Sequence, residues 1–123
     1  MRSRNLAESF RFAFAGLWYA LRTQRNTRVH LTIAAGVVAV GLWLGLSYVQ
    51  WALLVLTIGF VFVSEMLNTV AETLVDLISP GYHPLAKIIK DVTAAAVLLG
   101  AAVAVIVGLL ILGPPLWARL FGG

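Results

Sequence analysis

The 123-residue chain is 61% hydrophobic, only 11% charged, and contains no cysteine. Its mean hydropathy of +0.96 and its long apolar blocks exclude an ordinary soluble domain and indicate one integral membrane domain. The missing cysteines exclude a disulfide frame and a thiolate metal site, and the net charge of +4 flanks apolar spans, so no nucleic-acid partner is expected.

Met1-Arg2-Ser3-Arg4 is basic, but Arg11 interrupts the apolar stretch after it and no small-residue cleavage site appears. A cleavable signal peptide is therefore not expected. Residues 5–22 read as an amphipathic helix. Asn5 followed by Glu8 fits an N-cap with its capping-box partner. Phe10, Phe14, Leu17 and Leu21 fall on one face, and Arg4, Glu8, Arg11 and Arg22 on the other. An aromatic face opposite a basic face fits a helix lying in the membrane interface.

Residues 22–30 read as a polar hinge holding Arg22, Arg25 and Arg28, which serve as a cytoplasmic anchor or as a phosphate-binding wall. Residues 31–49 are uncharged and cover roughly 28 Å as a helix, enough to cross the hydrocarbon. Gly41 and Gly45 form a Gly-xxx-Gly pair suited to close helix approach. Tyr48 and Trp51 are expected in an outer aromatic belt.

A second span is expected over residues 51–78. Its last turns hold three of the five carboxylates of the chain. Glu65, Asn68, Glu72 and Asp76 are spaced i, i+3, i+7 and i+11, which places them on one helical face. Ionisable groups in a membrane segment are costly there, and usually face a protein interior or a wet cavity and carry function. Thr69 and Thr73 lie near this stripe, and their hydroxyls fit bonds to backbone carbonyls.

Ser79-Pro80-Gly81-Tyr82-His83-Pro84 breaks the helix. Lys87 and Lys90 come next, and Asp91 is expected to open a third span over residues 91–113. Ala96, Gly100, Ala104 and Gly108 form a small-residue face on it, and Pro114-Pro115 is expected to end it. His30 and His83 read as polar contacts near an interface. Eight basic residues (Arg2, Arg4, Arg11, Arg22, Arg25, Arg28, Lys87 and Lys90) fall on one side of the spans and only Arg119 on the other. This asymmetry places the N-terminus in the cytoplasm. It gathers Glu65, Glu72, Asp76 and Asp91 with Arg25, Arg28, Lys87 and Lys90 at the cytoplasmic end. Carboxylates for Mg²⁺, cations for phosphate and a spare base are the parts of a phosphoryl-transfer site. No Gly-xxxx-Gly-Lys phosphate loop is present.

The run Glu65-Met-Leu-Asn68-Thr-Val-Ala-Glu72-Thr-Leu-Val-Asp76, with Lys90-Asp91-Val-Thr-Ala-Ala-Ala-Val-Leu, closely resembles the signature of the bacterial diacylglycerol kinase and undecaprenol kinase family. Arg25-Asn26-Thr27-Arg28-Val29-His30 looks more like the Gram-positive undecaprenol kinase branch. The resemblance implies an all-α, multi-pass protein of the bacterial cytoplasmic membrane: an interfacial helix and three transmembrane helices, bundled as a homotrimer. It implies direct transfer of the ATP γ-phosphate to a lipid hydroxyl, with Mg²⁺. By position, Glu65 would be the base and Glu72 a metal ligand that also faces the nucleotide. Lys90, Asp91, Tyr82 and His83 would contact the nucleotide, with Asn68, Asp76 and Arg28 in support. Gln24 stands where the family usually has a second metal-binding glutamate. It offers a neutral oxygen and no charge, so metal affinity falls, another acid such as Asp76 compensates, or this copy is impaired. A rival reading is a small proton-coupled exporter that uses Glu65. Such carriers usually have four spans and have no need of Lys90-Asp91.

Overall fold

A computed structural model of the protein describes residues 5–122. Among these residues there are four helices and no strand: α1 (Leu6–Thr23), α2 (Arg25–Leu44), α3 (Tyr48–Ile78) and α4 (Pro84–Phe121). The last three are long and apolar enough to cross a membrane. The basic leader, with Arg2 and Arg4 of the charge count, lies outside the described residues.

The carboxamide oxygen of Asn5 accepts the Glu8 N–H at 2.9 Å and so caps α1. The expected hinge over 22–30 shrinks to one residue. Only Gln24 leaves the helical region, with φ −107° and ψ 111°, and Arg25–His30 form the first turns of α2. No glycine or proline lies in this stretch, so nothing in it opposes helix, and its polar side chains serve the helix ends instead. Nη1 of Arg28 donates to the carbonyls of Leu21 at 3.0 Å and Arg22 at 2.9 Å. Carbonyls at a helix end have no intrahelical partner, so Arg28 closes α1 from the next helix.

α2 ends at Gly45 and not at residue 49. Gly45 has φ +70°, and its N–H donates to the Gly41 carbonyl at 3.1 Å. Gly45 is therefore the helix stop, a left-handed position that suits glycine, and not half of a packing pair. Gly41 is the close-approach glycine: a Cβ there would lie 2.8 Å from Cη2 of Trp51. The Trp51 ring thus packs on α2, and of the expected aromatic belt only Tyr48 is fully exposed. Gly45→Ala should cost about 1–2 kcal/mol, the penalty of a side chain in the left-handed region, and Gly45→Asn less. Thermal melting in detergent, monitored by circular dichroism, checks this order.

Ser47 and Gln50 form a capping box, with bonds of 3.2 and 2.9 Å, so α3 starts at Tyr48, earlier than the predicted Trp51. Its end falls at the predicted Ser79–Pro84 break. α4 then starts seven residues before Asp91. Pro84 stands at the start, where its missing N–H costs nothing, and Nδ1 of His83 accepts the Leu85 N–H at 3.1 Å. At the far end α4 runs through Pro114 and Pro115 to Phe121. Each proline removes an intrahelical bond. The tail is nonetheless held: the Arg119 guanidinium sits 4.9 Å from the Trp43 ring of α2, and Trp117 stacks on Phe121 at 4.6 Å.

α3 and α4 pack as the most extensive antiparallel pair. Gly100 is buried there, with Phe60 of α3 3.5 Å from where its Cβ would be. The predicted small-residue face is divided: Gly100 meets α3, Ala104 and Gly108 are half-buried along a cleft, and Ala96 is exposed. Among the described residues only Ala20, Leu54, Val61, Val75 and Ile111 form a buried apolar core. Most other apolar side chains face outward, as suits a chain whose solvent is lipid.

Candidate active site

The antiparallel arrangement brings the start of α2, the end of α3 and the start of α4 to one end of the bundle. The polar residues meet there. Glu65 is buried at 3% exposure, and its Oε1 lies 3.3 Å from Nδ1 of His30 on α2. One turn on, Nδ2 of Asn68 donates to Oε1 of Glu72 at 3.4 Å. Further out, Asp76 is exposed and accepts from Nζ of Lys90 at 2.8 Å. Lys87 and Asp91 pair at 2.6 Å along α4, and the charge of Glu72 also acts on Lys90. The stripe thus keeps to one face and grades from a buried acid to a solvated ion pair.

Four buried polar atoms at this end lack a hydrogen-bond partner: Oγ1 of Thr27, Nδ1 of His30, Oε1 of Glu65 and Oδ1 of Asn68. The His30–Glu65 approach is close in distance but misaligned for a hydrogen bond. Buried polar atoms are ordinarily paired, so a group of four on facing turns of two helices marks a place built for polar chemistry. Thr69 and Thr73 donate to the carbonyls of Glu65 and Thr69, at 3.0 and 2.7 Å, as expected of helical threonines.

The other predicted residues make their contacts outside the stripe. Gln24 is half-buried at the α1–α2 break, and its side chain makes no cap bond. Arg28 is committed to the end of α1. Tyr82 is exposed in the loop before α4, and His83 caps that helix. Asp91 lies within α4, not at its start. His30 and Thr27 were not among the predicted site residues. The approach of His30 to Glu65 crosses between helices, and no spacing within one helix reports it.

Among the described residues no three His, Cys, Asp or Glu side chains come together to hold a metal ion. The donors present still suit Mg²⁺: the Glu72 carboxylate and the unpartnered Asn68 Oδ1 are hard oxygens on adjacent turns. Mg²⁺ is commonly held by one or two carboxylates plus substrate phosphates.

Two clefts flank the site. One, of about 460 Å³, runs between α2, α3 and α4, lined by His30, Ile33, Val37, Val61, Ala104 and Gly108 among others. The second, of about 380 Å³, separates α1 from α3. Residues 11–112 match the prokaryotic diacylglycerol kinase family. The chain belongs to that family. It is 49% identical over 113 residues to a diacylglycerol kinase of Synechocystis, covering 91% of this chain and 65% of that protein. The chain thus spans about two thirds of the length of that relative. It is 43% identical over 109 residues to the undecaprenol kinase of Bacillus subtilis, covering 89% of each. With the diacylglycerol kinase of Escherichia coli it shares 38% identity over 69 residues, 56% of this chain and 57% of that one. The family and these relatives are named as lipid kinases, either diacylglycerol kinases or an undecaprenol kinase. The exporter reading is not favoured: three helices, not four, are candidate spans among the described residues.

Proposed function

We propose that the chain transfers the γ-phosphate of ATP to the hydroxyl of a membrane lipid alcohol, undecaprenol or diacylglycerol. The observation that carries the reading is Glu65, a buried acid at the inner end of a stripe whose outer end, Asp76, is exposed and paired with Lys90. That gradient suits a reaction between a soluble nucleotide and a greasy alcohol.

Glu65 takes the hydroxyl proton as the oxygen attacks the γ-phosphorus. The bond to the β-phosphate oxygen breaks, and ADP leaves with the electron pair. Lys87 and Lys90 are held in exposed pairs, and exposed ion pairs contribute little. Nucleotide phosphates can therefore take over these ammonium groups, with Tyr82 and His83 in the loop just before them as further nucleotide contacts. Glu72, with Asn68 and Gln24, would hold Mg²⁺, which when bound would supply positive charge for the phosphate oxygens. The apolar cleft that opens at His30 suits the hydrocarbon of the acceptor, being of ligand-pocket size and mostly apolar.

The basic residues gathered at the site end support a location at the cytoplasmic interface of the bacterial membrane. The exposed Phe10, Phe14 and Leu17 of α1 support its lying in that interface. The wide outward apolar surface, with the family resemblance, supports a homotrimer.

Purified protein in lipid bilayers, given labelled ATP and each alcohol separately, should yield one phosphorylated lipid in excess. No product from either, where a family member works, would overturn the reading. In the same assay Gln24→Glu should lower the Mg²⁺ concentration for half-maximal rate several-fold. An unchanged Mg²⁺ dependence removes Gln24 from the metal's surroundings.

A further inference from the structure

His30 stands in two surroundings at once. Its Nδ1 faces Oε1 of Glu65 at 3.3 Å, with side-chain exposures of 21% and 4%, and its ring lines the apolar cleft between α2, α3 and α4. A buried carboxylate needs a partner to hold its charge and its direction.

The polar neighbours of Glu65 on its own helix are occupied. Ser64 donates to the Phe60 carbonyl at 2.9 Å, Thr69 to the Glu65 carbonyl at 3.0 Å, and the Asn68 amide to Glu72. On α2, Thr32 donates to the Arg28 carbonyl at 3.0 Å, and Arg28 itself closes the end of α1. Lys90 is taken by Asp76, and Lys87 by Asp91. Thr27 Oγ1 on α2 is also buried and unpartnered, but the close approach to the carboxylate from another helix is that of His30, at 3.3 Å.

We propose that His30 is the positioning residue for Glu65. A small rotation of the imidazole aligns Nδ1–H with Oε1, fixes the carboxylate among its rotamers, and leaves Oε2 as the oxygen that takes the acceptor's proton. This rests on Glu65 being the base. The imidazole acts through Glu65 and does not itself touch the reacting atoms. Its other face, in the cleft, is apolar ring surface, so the same residue joins the proton acceptor to the greasy wall.

His30→Leu and His30→Asn separate this role from simple packing. Leucine keeps the cleft filled and removes the donor, whereas asparagine keeps an N–H near the Nδ1 position. His30→Leu should lower kcat about ten- to a hundredfold, as a misplaced catalytic group does, with the KM for MgATP unchanged. His30→Asn should recover most of that loss. Equal losses in both variants accompanied by a lower melting temperature, or a wild-type kcat in His30→Leu, would overturn the proposal. A second measurement needs no turnover. With ¹³C-carboxyl-labelled glutamate, the infrared carboxylate band that disappears in Glu65→Gln should move in His30→Leu and return in His30→Asn. An unmoved band overturns the proposal as well. If the wild type phosphorylates neither lipid, the kinase reading fails, and the infrared result still decides whether His30 holds Glu65.

Discussion

Glu65→Gln should abolish phosphoryl transfer and leave a folded, assembled protein. Glutamine keeps the shape of glutamate, and its amide oxygen can occupy the place 3.3 Å from His30. It has no basic oxygen to take a proton. Loss of a positioned general base typically lowers the rate about 10²–10⁴-fold. Stability should hold or rise, because replacing a buried charge by a neutral group of equal shape removes a desolvation cost. Labelled-phosphate transfer in bilayers, run beside thermal melting and size-exclusion elution, checks both halves. Turnover near the wild-type rate takes the base role away from Glu65. A collapsed elution profile would assign the residue to assembly instead.

Glu72→Gln should leave chemistry possible but starve it of metal. The Asn68 donor, 3.4 Å from Oε1, can bond an amide oxygen as well as a carboxylate, so the local packing persists. The negative charge is lost, both for Mg²⁺ and for Lys90, on which it acts. The Mg²⁺ concentration for half-maximal rate should rise at least about tenfold, the scale on which even a ligand's supporting groups matter. Part of the rate should return at saturating Mg²⁺. Mn²⁺ binding in the presence of a non-hydrolysable ATP analogue, read by electron paramagnetic resonance, gives the same affinity without turnover. If Gln24 and Glu72 address one ion, Gln24→Glu should restore affinity to Glu72→Gln beyond its effect on the wild type. Strict additivity would separate the two residues.

The spans and the stripe were legible because each is a property of a single helix. Apolar length announces a crossing segment, and the spacing of Glu65, Asn68, Glu72 and Asp76 announces one face. The Asn5 cap and the Ser79–Pro84 break are equally local. The errors came where one local pattern serves two structures. The glycines at 41 and 45 have the spacing of a packing pair, yet Gly45 is a helix stop and Gly41 receives Trp51. The arginines after residue 22 suggested a hinge, yet Arg28 reaches back to close α1 and lets α2 begin at once. Pro114-Pro115 suggested an end, yet the turns beyond them contact α2 through Arg119 and Trp43.

Composition, hydropathy and helical period by themselves determined that this chain is a membrane protein with three candidate spans and an acidic stripe on one helix face; the lipid-kinase reading came from the resemblance of its motifs to a family. Those features depend only on residues within a few turns of each other. The tertiary structure alone decided that His30 faces Glu65 and that Lys90 faces Asp76. Such pairings depend on how separate helices are turned against one another, and rotation about a helix axis leaves no trace in the order of residues along it.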